Sequence, residues 1–206
     1  KENFAFVSLL KVCAKKKDLC AGTRIHGEII KKGLLQKSPY LATALITMYA
    51  KCGMLEKAHN VLKELPFQNI VAFNALVAGY VQHECGHLAL GLYEQMQKTA
   101  VIPDESILSS SLKACASIGA IDKGNEIHAA VERRGLLAKD PIGNTLVSMY
   151  AKCGLLEKAW NVFEKLLIRD VVSWTALIAG YVEGGHGRQA IEYFEQMLLE
   201  GVSPNS

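Results

Sequence analysis

LITMYAKCGMLEKAHNVL, residues 45–62, holds the string on which the fold turns. Its Tyr49-Ala50-Lys51-Cys52-Gly53 returns as Tyr150-Ala151-Lys152-Cys153-Gly154, 101 residues further on. Ala75-Leu76-Val77-Ala78-Gly79-Tyr80-Val81 returns as Ala176-Leu177-Ile178-Ala179-Gly180-Tyr181-Val182 at the same offset. Ile25-His26 returns as Ile127-His128 after 102, so one residue is lost between the blocks. Nearly the whole chain is therefore two copies of one unit, and self-similarity at a fixed period is the mark of a repeat architecture.

Each unit divides into three helix-pair motifs, which we place at 3–38, 39–69 and 70–104, then 105–139, 140–170 and 171–205. Leu41, Leu45, Met48 and Tyr49 recur at helical spacing, Gly53 breaks the run, and Leu55, Ala58, Val61, Leu62 and Leu65 resume it. Phe73, Leu76, Val77 and Tyr80 form one stripe of the next motif, and Leu88, Leu92, Tyr93 and Met96 the other. Pro103 and Pro204 stand at motif ends, where a missing N–H costs little. A helix pair of this size cannot bury its own apolar face, so neighbours must stack into one continuous core. Small residues at matched positions, Ala58 and Ala159, Ala89 and Ala190, Gly79 and Gly180, let helices approach closely. The expected fold is all-α, an α-solenoid superhelix of about six helix-turn-helix repeats.

Composition agrees. Half of the 206 residues are hydrophobic and 21% charged, enough to bury a sizeable core and too apolar for wholesale disorder. Charges or glycines interrupt every apolar stretch before the ~18 residues of a helical membrane span. The net charge of +3 permits a polyanionic partner without demanding one. The six cysteines allow a disulfide framework by number, but include no CxxC pair and fall mostly in helical patterns. Reduced, buried thiols of an intracellular protein are the better reading. Lys1 is no initiator Met and the first residues read as neither signal nor transit peptide, so we read the chain as a fragment or processed segment.

The alternating motif lengths, with LITMYAKCGMLEKAHNVL, FNALVAGYVQHECGHLALGLYEQM and LKACASIGAIDKGNEIHAAVERRGLL, resemble pentatricopeptide repeat proteins of the PLS subclass over residues 3–205. On that resemblance 3–38 and 105–139 are long motifs, 39–69 and 140–170 short ones, and 70–104 and 171–205 standard ones. It implies a right-handed superhelix of plant organelles, mitochondrion or chloroplast, binding single-stranded RNA at about one base per repeat. PLS-type members are chiefly specificity factors for C-to-U editing, so editing-complex proteins are further implied partners. Where such proteins carry a deaminase it is a C-terminal zinc domain; this chain ends at Ser206 without its H-x-E…C-x-x-C signature. The expectation is a reader with no catalytic residue, metal or cofactor.

The resemblance also assigns residues. The fifth and last positions of a motif face the base edge: Thr43 with Asn69 for adenine, Asn74 with Asp104 for uracil, Asn144 with Asp170 for uracil, Thr175 with Asn205 for adenine. A carboxylate only accepts, which suits the imino N–H of uracil, whereas an amide both donates and accepts and suits adenine. The long motifs present Val7 with Ser38 and Ser109 with Lys139, weaker base positions matching no known pairing. The implied target is 5′-N-A-U-N-U-A-3′. Val71 and Val172 fit the second-position wedge between bases, whereas Tyr40, Ser106 and Pro141 depart from it. Lys15, Lys51 and Lys152 occupy the thirteenth position, where the family uses lysine near phosphates.

Asn69, Asp104, Asp170 and Asn205 each precede a helix and suit its N-cap; capping and base reading can coexist. His83-Glu84-Cys85-Gly86-His87 spells H-E-x-x-H, yet it spans a turn, and the zinc chemistry needs both His on one helical face. His26 and His128 recur without a nucleophile at suitable spacing, so they read as structural, and Trp174 reads as core. Cys52 and Cys153 read as small buried hydrophobes. The rival function is a helical-repeat scaffold for a protein partner, against which the unequal motif lengths argue. Exposed end faces allow end-to-end self-association of the fragment, because terminal repeats normally carry polar caps.

Overall fold

The computed structural model describes residues 2–65, 69–99, 101–137 and 140–204. Among these there are twelve α-helices and no strand. In order they are α1 (Glu2–Lys16), α2 (Leu19–Lys31), α3 (Pro39–Lys51), α4 (Leu55–Lys63), α5 (Ile70–Gln82), α6 (Gly86–Lys98), α7 (Glu105–Ile118), α8 (Ile121–Arg133), α9 (Asp140–Lys152), α10 (Leu156–Glu164), α11 (Val171–Glu183) and α12 (Gly187–Leu199). A short 3-10 turn, Leu35–Lys37, precedes α3. The chain forms two compact units, residues 1–107 and 108–206.

In the first unit α1, α3 and α5 pack side by side, and α2 and α4 each lie against both their own first helix and the next one. The second unit repeats this for α9, α10 and α11, with α12 closing on α11. That arrangement follows from composition. The sequences of α3 and α5 are apolar almost all round and bury Leu41, Leu45, Met48, Leu76 and Val77. By contrast α4 and α10 are nine-residue helices that bury one stripe, Ala58, Val61 and Leu62 or Ala159, Val162 and Phe163, and turn charges outward. Leu88 departs from the expected stripe: it is exposed on α6, and Ala89 beside it is buried instead.

Every turn between the helices of a pair is closed alike. A residue with positive φ sits at Lys17, Gly53, Glu84, Gly119, Gly154 and Gly185, fifteenth in each proposed motif. The next N–H reaches back five residues, as from Met54 to Tyr49 O (2.9 Å) and from Leu155 to Tyr150 O (2.9 Å). This is a Schellman closure, for which glycine is best suited because it has no Cβ. Lys17 and Glu84 adopt the same geometry without that advantage.

Two matched glycines let first helices pack closely against each other. A Cβ on Gly79 would stand 2.7 Å from Ala50 Cβ, and one on Gly180 would overlap Ala151 in the same manner. All six cysteines are free thiols. Cys13 and Cys115 are buried, but Cys52 and Cys153 are only half-buried and Cys20 is exposed. Cys85 is half-buried too; Cys52 and Cys153 sit just beyond the C-termini of α3 and α9, where a side chain leaves the packed layer, so the expectation of burial is corrected there.

Candidate functional site

The first helices of each unit line an open cleft. In the first unit it encloses about 640 Å³ between α1 and α3, bordered by Val7, Thr43, Lys51, Asn69 and Val71. In the second it encloses about 480 Å³ and is bordered by Asn144, Lys152, Asp170 and Val172. Residues up to 64 positions apart in sequence, from the second, fifth, thirteenth and last motif positions, thus meet at one surface in both copies. Val71 and Val172 are 54% and 56% exposed, a large apolar side chain in open solvent at the first turn of a helix. Tyr40 and Phe4, at the same motif position, are more exposed still.

Two amide–carboxylate pairs carry the most specific geometry. Asn74 Nδ2 donates to Asp104 Oδ2 at 2.8 Å, and Asn144 Nδ2 donates to Asp170 Oδ1 at 3.2 Å. Both carboxylates also cap the helix that follows: Asp104 Oδ1 accepts from Ile107 N (3.0 Å) and Asp170 Oδ1 from Ser173 N (2.8 Å). Each aspartate therefore holds an Asn side chain while tying down an orphan helix N–H. The amide oxygens behave differently. Asn74 Oδ1 and Asn144 Oδ1 are buried and have no hydrogen-bond partner.

The threonine positions are built otherwise. Thr43 Oγ1 donates to Pro39 O (3.0 Å) and Thr175 Oγ1 to Val171 O (2.6 Å), which leaves each hydroxyl oxygen able to accept. Asn69 caps α5 through Val71 N (2.9 Å). Asn205 and Lys139 lie outside the described residues. In the long motifs Val7 borders the first cleft and Ser109 Oγ shares a hydrogen bond with Thr145 Oγ1 (3.1 Å); Ser38 is buried ahead of α3. Lys51 and Lys152 are exposed at the cleft margins, while Lys15 is exposed on α1 away from the cleft lining.

The recurrent histidines join neighbouring motifs. His26 Nδ1 and Tyr49 Oη lie 2.8 Å apart, and His128 Nδ1 and Tyr150 Oη 2.9 Å apart, each linking a second helix to the next first helix. His59 with Tyr80 (2.8 Å) is a third such link, absent from the sequence reading because Trp160 replaces it in the second copy. Burial is the main cause holding all three imidazoles below their ordinary pKa of 6.5. Trp174 is fully buried edge-on to Phe163, with ring centroids 4.5 Å apart. The H-E-x-x-H string is split as anticipated: His83 ends α5, Glu84 has φ 58°, and α6 starts at Gly86. His83 Nε2 is used up on Ala50 O at 2.8 Å.

Comparison with known proteins bears on the same segments. The model of the PPR repeat matches residues 41–70, 71–99 and 144–171, and that of the PPR repeat family matches 169–206, together more than half of the chain. The chain belongs to the pentatricopeptide repeat family. Among relatives from Arabidopsis thaliana, a chloroplastic pentatricopeptide repeat-containing protein is 35% identical over 98% of this chain and 33% of its own length. A mitochondrial one is 37% identical over 99% of this chain and 20% of its own. The chain thus spans about a third or less of the curated relatives it matches. The crystal structure of the maize pentatricopeptide repeat protein PPR10 superposes with a TM-score of 0.82 at 24% identity, over 97% of this chain and 29% of that one. The fold is accordingly the all-α solenoid of pentatricopeptide repeats.

Two site features escaped the sequence reading. Lys11 and Lys113 border the two clefts, and they share the string Leu-Lys-x-Cys-Ala at an offset of 102. Phe4 stands in the same motif register as Val71. Either could have been found by aligning the long motifs of this pentatricopeptide array position by position.

Proposed function

We propose that this pentatricopeptide array binds single-stranded RNA along the surface of its first helices, reading about one base per motif with the sequence 5′-N-A-U-N-U-A-3′. The observation that carries the reading is the pair of buried, partnerless amide oxygens on Asn74 and Asn144. Leaving a buried acceptor unpaired costs about 1–3 kcal/mol, so its repetition in both units favours a ligand donor at that place. Asp104 and Asp170 hold the amide nitrogen and so fix which way each amide faces. The unpaired oxygen then accepts the N3–H of uracil, and cytosine, whose N3 is an acceptor, is repelled. At the other two positions the Thr43 and Thr175 hydroxyl oxygens accept from the adenine amino group, Asn69 acting with Thr43. Val71 and Val172 wedge between neighbouring bases. Single-stranded RNA is the suited ligand because its unstacked bases expose these edges to two or three side chains per helical repeat.

The motif order long, short, standard supports a further reading as the specificity array of a C-to-U editing factor that works with editing-complex proteins and has no catalysis of its own. The chloroplastic and mitochondrial names of its relatives support an organellar location, and the maize fold relative was also crystallised with an 18-nt psaJ RNA element. Fluorescence anisotropy with labelled NAUNUA RNA, single U-to-C variants and the NAGNGA variant tests the proposal. A change at the third base should cost about 1–3 kcal/mol, roughly 5- to 150-fold. Asn74→Ala should abolish that preference and spare the fifth base, with Asn144→Ala doing the converse. Equal affinity for every variant would refute base reading, and capture of a protein in place of RNA would favour the scaffold reading.

A further inference from the structure

The long motifs present no matched base pair of residues, yet each contributes a lysine to its cleft. Lys11 of α1 borders the first cleft together with Lys51 of α3. Lys113 of α7 borders the second together with Lys152 of α9. All four are exposed, and none takes part in an ion pair among the described residues. The surrounding helices explain why. Beyond their first residues α1, α7 and α9 contain no carboxylate, and α3 contains none at all. Asp170 is the acid at the second cleft, and its carboxylate is engaged by Asn144 and Ser173 N. Elsewhere some lysines are paired: Lys31 of α2 with Glu28 at 3.0 Å, and Lys165, just past α10, with Glu132 of α8 at 3.1 Å. The lysines of α1, α3, α7 and α9 at the clefts therefore have no carboxylate beside them on their own helices beyond the first residue.

We propose that Lys11 with Lys51, and Lys113 with Lys152, grip phosphodiester groups of the bound strand, so that each long motif anchors the RNA backbone where it reads no base. The inference rests on the RNA-binding reading above and adds the ninth position of the long motif to the contact set. Its physics is simple. Free ammonium groups over a small-residue floor, Ala14 in one cleft and Ala116 in the other, attract a polyanion and meet no competing carboxylate. Phosphate contacts position a strand without carrying sequence information.

Salt dependence isolates the claim, because each phosphate neutralised on a single strand adds about −0.7 to the slope of log K against log salt. Anisotropy titrations of NAUNUA and NAGNGA RNA across a salt series would compare the chain with K11Q/K113Q, K11R/K113R and the control K31Q/K165Q. The glutamine pair should flatten the slope by about 1.4 on both RNAs and leave their ratio of affinities unchanged. The arginine pair should keep the slope, and the control should lie within experimental error of the parent. An unchanged slope in K11Q/K113Q overturns the grip and leaves base reading intact. So does an equal loss in the control, which would reduce the effect to net charge. Absence of RNA binding by the parent chain would sink the RNA reading itself.

Discussion

Gly79 in α5 faces Ala50 in α3, and moving one methyl group between them should reveal how tightly these helices are pressed together. A Cβ at Gly79 would lie 2.7 Å from Ala50 Cβ and 3.8 Å from Ala50 Cα. Carbon atoms at rest stand about 3.5–4.0 Å apart, so roughly 1 Å of separation must be opened in a core that does not yield. Overpacking of this kind costs about 1–3 kcal/mol, and the better helix propensity of alanine returns about 1 kcal/mol. Gly79→Ala should therefore lose about 1 kcal/mol, or about 2–4 °C in Tm at this chain length. Ala50→Gly alone should lose about 2 kcal/mol, from propensity and the missing methyl. Combined, they restore one methyl in one gap, and the double variant should fall near the parent, a coupling of about 2–3 kcal/mol. The second unit supplies the contrast. A Cβ on Gly180 would also meet Ala151 Cα at 3.1 Å, so Ala151→Gly should rescue Gly180→Ala only in part. Urea unfolding followed by far-UV circular dichroism reads all six variants. A Gly79→Ala chain more stable by about 1 kcal/mol, with no coupling to Ala50, would refute the argument and leave propensity as the only force at that contact.

Lys17→Gly and Glu84→Gly should each stabilise the fold by about 0.5 kcal/mol or more, because both residues hold a positive φ that disfavours a Cβ; a lower urea midpoint in either would contradict this. Burial holds His26, His59 and His128 below 6.5, so the unfolded chain binds more protons than the folded one just beneath that pH. Stability should accordingly be full above about pH 6.5 and decline as the pH falls toward the folded values, with a triple His→Gln variant showing a flatter profile; a midpoint that holds or rises on acidification would count against it. On α12, Ile191 and Phe194 are 63% and 40% exposed, whereas their counterparts Leu90 and Tyr93 in the first copy are buried. Sedimentation should show mass rising with concentration and Phe194→Glu suppressing the rise; a constant monomer mass would exclude end-to-end association.

The fold was legible because repetition prints itself in strings: YAKCG announces a helix end, a turn and its partner twice over. Exposure was less legible, since Leu88 and Ala89 straddle the edge of an apolar stripe and only packing decides which turns inward. The positive φ of Lys17 and Glu84 left no trace in residue type, because it is imposed by the closure and not chosen by the side chain. His59 escaped a search for identity because the second copy fills its place with Trp160, which stacks on Tyr193 at 4.7 Å. Asn74 and Asp104 are 30 positions apart, Asn144 and Asp170 26, and no local pattern brings them together. Their pairing was reachable only through the family resemblance, and the lone amide oxygen needed coordinates.

The double duty of Asp104 and Asp170 sets a limit on recoding. The side chain that holds the Asn74 or Asn144 amide, proposed above to read a base, is also the first peg of the following helix, as Asn69 is for α5. An engineer who rewrites the last letter of a motif therefore edits the scaffold at the same stroke. Ser, Thr, Asn and Asp are the substitutions that keep the peg, and others give up about 1 kcal/mol each time. The usable alphabet at this position is then narrower than base chemistry alone would allow, and a heavily rewritten array should lose stability in step with the number of letters changed.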